Sequence, residues 1–163
     1  MLLSRASEYG VQAMVELCDS ADGGFVAVSD LAHRRKLSPS FLSKVVNQLV
    51  GCGLVDSQRG PSGGVRLGRP ASRIRVIEVI EAIDGTEFLT ECVMGLPECS
   101  ERSPCPLHAQ WKPVRESILH MLAGQTLSKL AVELEATLKT RRRSAIRASR
   151  MATRKARRRG TAR

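Results

Sequence analysis

The chain has 163 residues and carries 26 Lys/Arg against 16 Asp/Glu, a formal net charge of +10; that length allows one ordinary domain and an appendage. No stretch approaches the roughly 20 apolar residues of a membrane span. The N-terminal run MLLSRASEYGVQAMVELC mixes charges with apolar residues and has no small-residue cleavage site, so it reads as a structural helix rather than a secretion signal, and the cytoplasm is the expected location.

In chain order, the first helix is expected from Leu3 to Cys18, with Leu2, Ala6, Tyr9, Ala13, Met14 and Leu17 on one apolar face. Asp22-Gly23-Gly24 is a loop, and Val26 and Val28 form a short extended piece. Ser29 suits the cap of a helix that contains Leu31 and Ala32 and ends near Lys36. Ser38-Pro39 opens the next helix, with proline at the first position, whose N–H has no intrahelical partner. Leu42, Val45, Val46, Leu49 and Val50 make its apolar side, and Gly51 and Gly53 stop it. Two short helices joined near Leu37 form a helix-turn-helix.

Residues 54–57 and 65–67 are short extended segments around the glycine-rich run QRGPSGG, a hairpin that after a helix-turn-helix is a wing. A helix follows from Arg75 to Ile83. Residues 84–106 form a loop holding three cysteines and three prolines. Leu107, Trp111, Val114, Ile118 and Met121/Leu122 repeat with helical period, and Pro113 should kink that helix or delay its start. Thr126 caps a last helix through Leu127, Leu130, Leu134 and Leu138. Beyond Thr140 the chain is basic and poor in apolar residues, which reads as disorder without a partner. The expected fold is mainly α with a small β-wing. It divides into a winged helix-turn-helix at 1–83, a cysteine loop at 84–106, dimerisation helices at 107–138 and a basic tail at 139–163.

The charge follows this division. Residues 139–163 hold 12 Lys/Arg and no acid, so the rest of the chain carries a net −2. Within it, residues 34–75 are net +8 and residues 76–138 net −6. A basic segment followed by an acidic one suggests a DNA face and a separate body. The outward residues near the start of the recognition helix, Ser38, Ser40, Ser43, Lys44 and Asn47, are of types that bond base edges or phosphates. Arg59, at the tip of the wing, is placed to enter a minor groove. For all six, a solvated surface is the plain alternative.

Cys92-x6-Cys99-x5-Cys105, in ECVMGLPECSERSPCPLH, suits thiolates converging on one centre, and thiolate sulfur selects zinc, Cu(I) or iron–sulfur clusters. The gaps exceed the usual zinc spacing, which favours a cluster. Three cysteines leave one ligand to find, and His108 is the local candidate. Cys18 and Cys52 lie apart and read as small apolar residues.

The run SDLAHRRKLSPSFLSKVVNQLVGCGLVDSQRGPSGGVRLGRPAS resembles the winged helix of a family of bacterial iron–sulfur repressors, the one that includes IscR and NsrR. RGPSGG followed by VRLG is its most specific part, and the resemblance covers residues 1–138. It implies a homodimeric winged helix that binds double-stranded DNA, with a long dimerisation helix after the cluster loop. It also implies a [2Fe–2S] or [4Fe–4S] cluster on Cys92, Cys99 and Cys105. In some relatives a histidine three residues after the third cysteine, here His108, is the fourth ligand of a [2Fe–2S] cluster. In some [4Fe–4S] relatives a carboxylate of the partner subunit's first helix, at the position of Glu8, serves instead. The sequence departs from the pattern at Ser43, where a relative has a base-reading glutamate, and at Ser62 and Val65, where glycine and an aromatic are common. An operator sequence is therefore not carried over.

Two other functions compete. The tail has the composition of an architectural DNA-binding arm, and cluster-free, thiol-based regulators share this fold. An enzyme is not expected: there is no nucleophile–base pairing, Walker loop, Rossmann glycine pattern or C-x-x-C, and no small-molecule substrate is implied.

Overall fold

In the computed structural model, residues 3–18, 24–60, 63–86, 91–97 and 99–141 are described. They form helices α1 (Arg5–Cys18), α2 (Val28–Arg35), α3 (Pro39–Gly51), α4 (Val76–Asp84), α5 (His108–Gly124) and α6 (127–141). A two-stranded antiparallel sheet, β1 (Val55–Gln58) and β2 (Gly64–Leu67), lies between α3 and α4. The expected winged helix, mainly α with a small β-wing, is the observed fold. Of the basic tail, residues 139–141 extend α6, and 142–163 lie outside the described residues, as does the expected disorder there.

The turn of the helix-turn-helix is fixed by backbone bonds. The Leu37 N–H donates to the Ala32 carbonyl (2.9 Å) and the Lys36 N–H to that of His33 (3.1 Å), with Lys36 at φ 55°. This is a Schellman ending with lysine in the position that glycine usually fills. Ser38 then starts α3, its Oγ accepting from the Phe41 N–H at 3.2 Å. Ser38→Ala is expected to lower unfolding stability by about 1 kcal/mol, read from the denaturation midpoint. Helix α3 ends the same way, with Gly53 at φ 67° and the Leu54 N–H on the Leu49 carbonyl at 3.0 Å.

Helix α2 departs from expectation at its start. It begins at Val28 after Ala27, which offers no side-chain cap, and Ser29 falls inside it. The cause is a third piece of sheet. Val26 exchanges two backbone bonds with Val65 of β2 (2.9 and 2.8 Å), and the chain must turn as soon as that bridge ends. Gly64, at φ 156°, is required there, because a Cβ would run into the Val26 backbone.

Met14, Leu31, Leu42, Val45, Leu49, Ile74 and Val79 fill the core between α1, α3 and α4. Gly10 lets α1 and α4 approach, since a side chain would meet Ile83 and Val45. Helix α6 returns to this core. Leu127 is fully buried in it, with Leu130, Ala131 and Leu134 packed against it. The Val76 N–H bonds the Gln125 carbonyl and the Leu127 N–H that of Ile74, both at 2.9 Å, which ties the start of α6 to the start of α4. A smaller cluster of Val76, Ile80 and Leu122 joins α4 to α5. Pro113 lies inside α5, in its second turn, where it removes a single intrahelical bond.

Candidate metal centre and nucleic-acid interface

The loop before α5 gathers the cysteines. A turn closes from the Gly95 N–H to the Cys92 carbonyl at 2.8 Å, with Gly95 at φ 69°. The His108 N–H donates to the Cys105 carbonyl at 2.9 Å and starts α5 directly behind the third cysteine. As a result the Sγ atoms of Cys92, Cys99 and Cys105 lie within 4.8 Å of one another. Cys92 and Cys105 are buried and Cys99 half-buried. Thiolates sharing one tetrahedral metal at about 2.3 Å stand about 3.8 Å apart, so the three sulfurs are already drawn together on the scale of a metal centre.

The thiols differ in acidity. The Met94 backbone N–H on Cys92 outweighs the cost of burial, and with the Leu96 N–H and the neighbouring thiols it brings Cys92 down to about 7. Cys105 goes the other way, pushed up first by its own desolvation and then by Cys92 and Cys99. Metal binding needs thiolates, and Cys92 is the first of this pair to supply one.

His108 is buried, and its Nδ1 lies 3.1 Å from Cys99 Sγ. Its Nε2 lies 3.3 Å from Glu101 Oε1, which in turn holds Lys112 Nζ at 2.6 Å. Lys112 foremost, and then His108, keep the Glu101 carboxyl below the usual carboxylate range. A carboxylate only accepts, so Nε2 carries the hydrogen of that bond. In the neutral ring Nδ1 then carries a lone pair on the side of the thiols, where it accepts from the Cys99 thiol at 3.1 Å. Glu101 and Lys112 gave no signal in the sequence beyond their charge. Glu8 is half-buried in the first turn of α1, outside the thiol group of this chain.

On the other face, Ser38, Ser40, Lys44 and Asn47 are exposed along the start of α3, and Ser43 is half-buried. The Ser38 Oγ is engaged by its cap and by Ser40 Oγ at 2.8 Å. Phe41, exposed among them, stacks edge-on against Tyr9. Arg59 is exposed at the tip of the wing. Lys44, Arg59 and Arg73 have no ion pair among the described residues. Arg66 is held by Asp56 at 3.3 Å and lies over Phe25, Arg69 is on Glu78 at 2.8 Å, and Arg75 is 3.9 Å from Glu78. The sequence did not rank these arginines; the structure separates two that are paired closely from those that are not.

A family described as iron-dependent transcriptional regulators, Rrf2, matches residues 3–133. The chain belongs to the Rrf2 family. It is 36% identical to the HTH-type transcriptional regulator IscR of Xenorhabdus nematophila over 135 residues, 83% of this chain and 82% of that one. It is 35% identical to IscR of Escherichia coli over 130 residues, 80% of each chain. Among solved structures it is similar to T. potens IscR, with a TM-score of 0.66 and 29% identity over 83% of this chain and 89% of that one. It is also similar to CymR, the global cysteine regulator of B. subtilis, with a TM-score of 0.67 and 27% identity over 80% of this chain and 96% of that one. These Rrf2 relatives are transcriptional regulators and not enzymes, in line with the sequence reading. The chain is accordingly an Rrf2-family transcriptional regulator with a DNA-binding winged helix. No described helix is long and apolar enough to cross a membrane.

Proposed function

We propose that this Rrf2 regulator is a homodimeric repressor whose operator binding is set by an iron–sulfur cluster held on Cys92, Cys99, Cys105 and His108. The convergence of the three Sγ atoms within 4.8 Å carries the reading. Three thiols and an imidazole can hold an iron–sulfur cluster or a single zinc ion, and the long gaps between the cysteines together with the family's description as iron-dependent favour the cluster. When bound, the cluster supplies a centre that responds to iron, redox state or nitric oxide. Glu8 of the partner subunit is the alternative fourth ligand.

The chain's own residues supply the output. Helix α5 starts at His108, so a change in how the thiols and His108 are held passes directly into it. Leu107, Val114 and Met121 follow one another at heptad spacing and are exposed, Met121 at 61%. Such a row is a seam for a second copy. Shifting α5 against its partner changes the separation of the two α3 helices, and a dimer reads half-sites about 34 Å apart.

The test is operator binding by anaerobically reconstituted protein, with DNA selected from a random library, before and after iron is removed by a chelator. Operator affinity or preference that changes at least tenfold supports the reading, and identical binding in both states contradicts it. A cluster-free thiol regulator is the second reading. It is favoured by the similarity to Staphylococcus aureus CymR in its oxidized form, at a TM-score of 0.65 and 27% identity over 80% of this chain and 96% of that one. It predicts that a thiol oxidant changes DNA binding by protein that carries no iron.

A further inference from the structure

Resting on the cluster reading, we infer that Glu101 is a positioning residue that makes His108 a ligand. Its carboxylate fixes the imidazole tautomer and aims Nδ1 at the thiols. Three observations support this. The carboxylate lies 3.3 Å from Nε2, the ring atom remote from the sulfurs. The Glu101 side chain is 70% exposed while that of His108 is 10% exposed, so the buried imidazole reaches its acceptor through a surface residue. Lys112 Nζ, one turn along α5 from His108, stands 2.6 Å from the same Oε1 and holds the carboxylate at the Nε2 edge of the ring.

Histidines that ligate metals generally pass their second N–H to a carboxylate or carbonyl, which orients the ring and raises its basicity. Here the arrangement spans the loop and α5. Glu101 lies between the second and third cysteines, and both His108 and Lys112 are on the helix. The same carboxylate that orients the ligand therefore fastens the loop to α5. Without it the ring can flip or take the other tautomer, which would put an N–H where the lone pair must be.

The test uses the full chain, reconstituted anaerobically with iron and sulfide, as wild type, Glu101→Ala and Glu101→Gln. Two quantities are read: the rate of iron release to a chelator, and the histidine nitrogen hyperfine coupling of the reduced cluster. Glu101 is exposed, so the variants should fold, and circular dichroism checks this. Glu101→Ala is expected to release iron about tenfold faster or more, within the 10–100-fold range of such partners, and to lose or shift the nitrogen coupling. Glu101→Gln keeps an acceptor and should fall between. If Glu101→Ala matches the wild type, or releases iron faster with the nitrogen coupling unchanged, the positioning role is wrong. A wild-type cluster without nitrogen coupling also overturns it, and leaves the cluster reading intact with Glu8 of the partner subunit as ligand. A wild type that takes up no iron overturns both.

Discussion

Replacing Cys92 or Cys105 by alanine is expected to take iron uptake from stoichiometric to background. The two thiols are buried at 8% exposure within the same loop, and apart from Cys99, already one of the three, no cysteine of the described chain belongs to the group. The remaining set of two thiols and one imidazole lacks the ligands a cluster needs. Alanine removes one sulfur atom from a loop outside the main core, so the winged helix should stay folded. Cys18→Ala and Cys52→Ala serve as internal controls. Cys18 Sγ bonds the Met14 carbonyl within α1 at 3.3 Å, and Cys52 is exposed at the end of α3. Iron analysis after anaerobic reconstitution should show full loading for both controls and none for the two loop variants. Equal loading of all four would place the iron elsewhere.

The second large effect belongs to the DNA face. Arg59→Ala is expected to weaken operator binding by about tenfold or more, equivalent to roughly 1–3 kcal/mol for an arginine that enters a groove. Lys44→Ala should weaken binding to all sequences alike and reduce the salt slope by about one, as loss of a phosphate contact does. Arg66→Ala and Arg69→Ala should do much less to DNA binding, because Asp56 and Glu78 already hold those guanidinium groups. Titrations at several salt concentrations separate these cases. An Arg59→Ala variant indistinguishable from wild type would remove the wing tip from the interface. Deleting residues 142–163 should reduce affinity and keep operator selectivity. Loss of nearly all binding would favour an architectural role for the tail.

Local chemistry made much of this fold legible. The Ser38-Pro39 start and the Gly53 stop of α3 are backbone requirements that only a few residue types meet, and both are met as read, whereas Gly51, also read as a stop, is the last residue of the helix. The apolar repeat of α4 reads Val76, Ile77, Val79, Ile80 and Ile83 as buried; Val76, Val79 and Ile80 are, while Ile77 and Ile83 are half-buried. Pairings between distant backbone groups left no such trace. The Val26–Val65 bridge joins residues whose types fit any strand, and it moved the start of α2 ahead of Ser29. The leucine stripe of α6 was visible, but nothing in it says that Leu127 packs into the winged-helix core.

At the site, cysteine spacing pointed to the thiol group because ligand chemistry restricts which residues can serve. The same chemistry singled out His108, which lies beside the thiols with Nδ1 3.1 Å from Cys99 Sγ. Glu101 was not singled out, since its role follows from the path of the loop that carries it to the Nε2 edge of the imidazole. The pairing of Arg66 and Arg69 likewise depends on which carboxylates the wing and α4 bring beside them. Charge counting over residues 34–75 could not separate those arginines from Arg59.

Anaerobic reconstitution, followed by iron and sulfide analysis with Mössbauer spectroscopy of the same sample, decides whether the cysteine loop holds an iron–sulfur cluster. Coloured protein with visible absorption, iron and inorganic sulfide in equal amounts, and a cluster spectrum that disappears in Cys92→Ala are expected. Colourless protein, or protein that takes up zinc in place of iron and sulfide, would contradict the cluster reading.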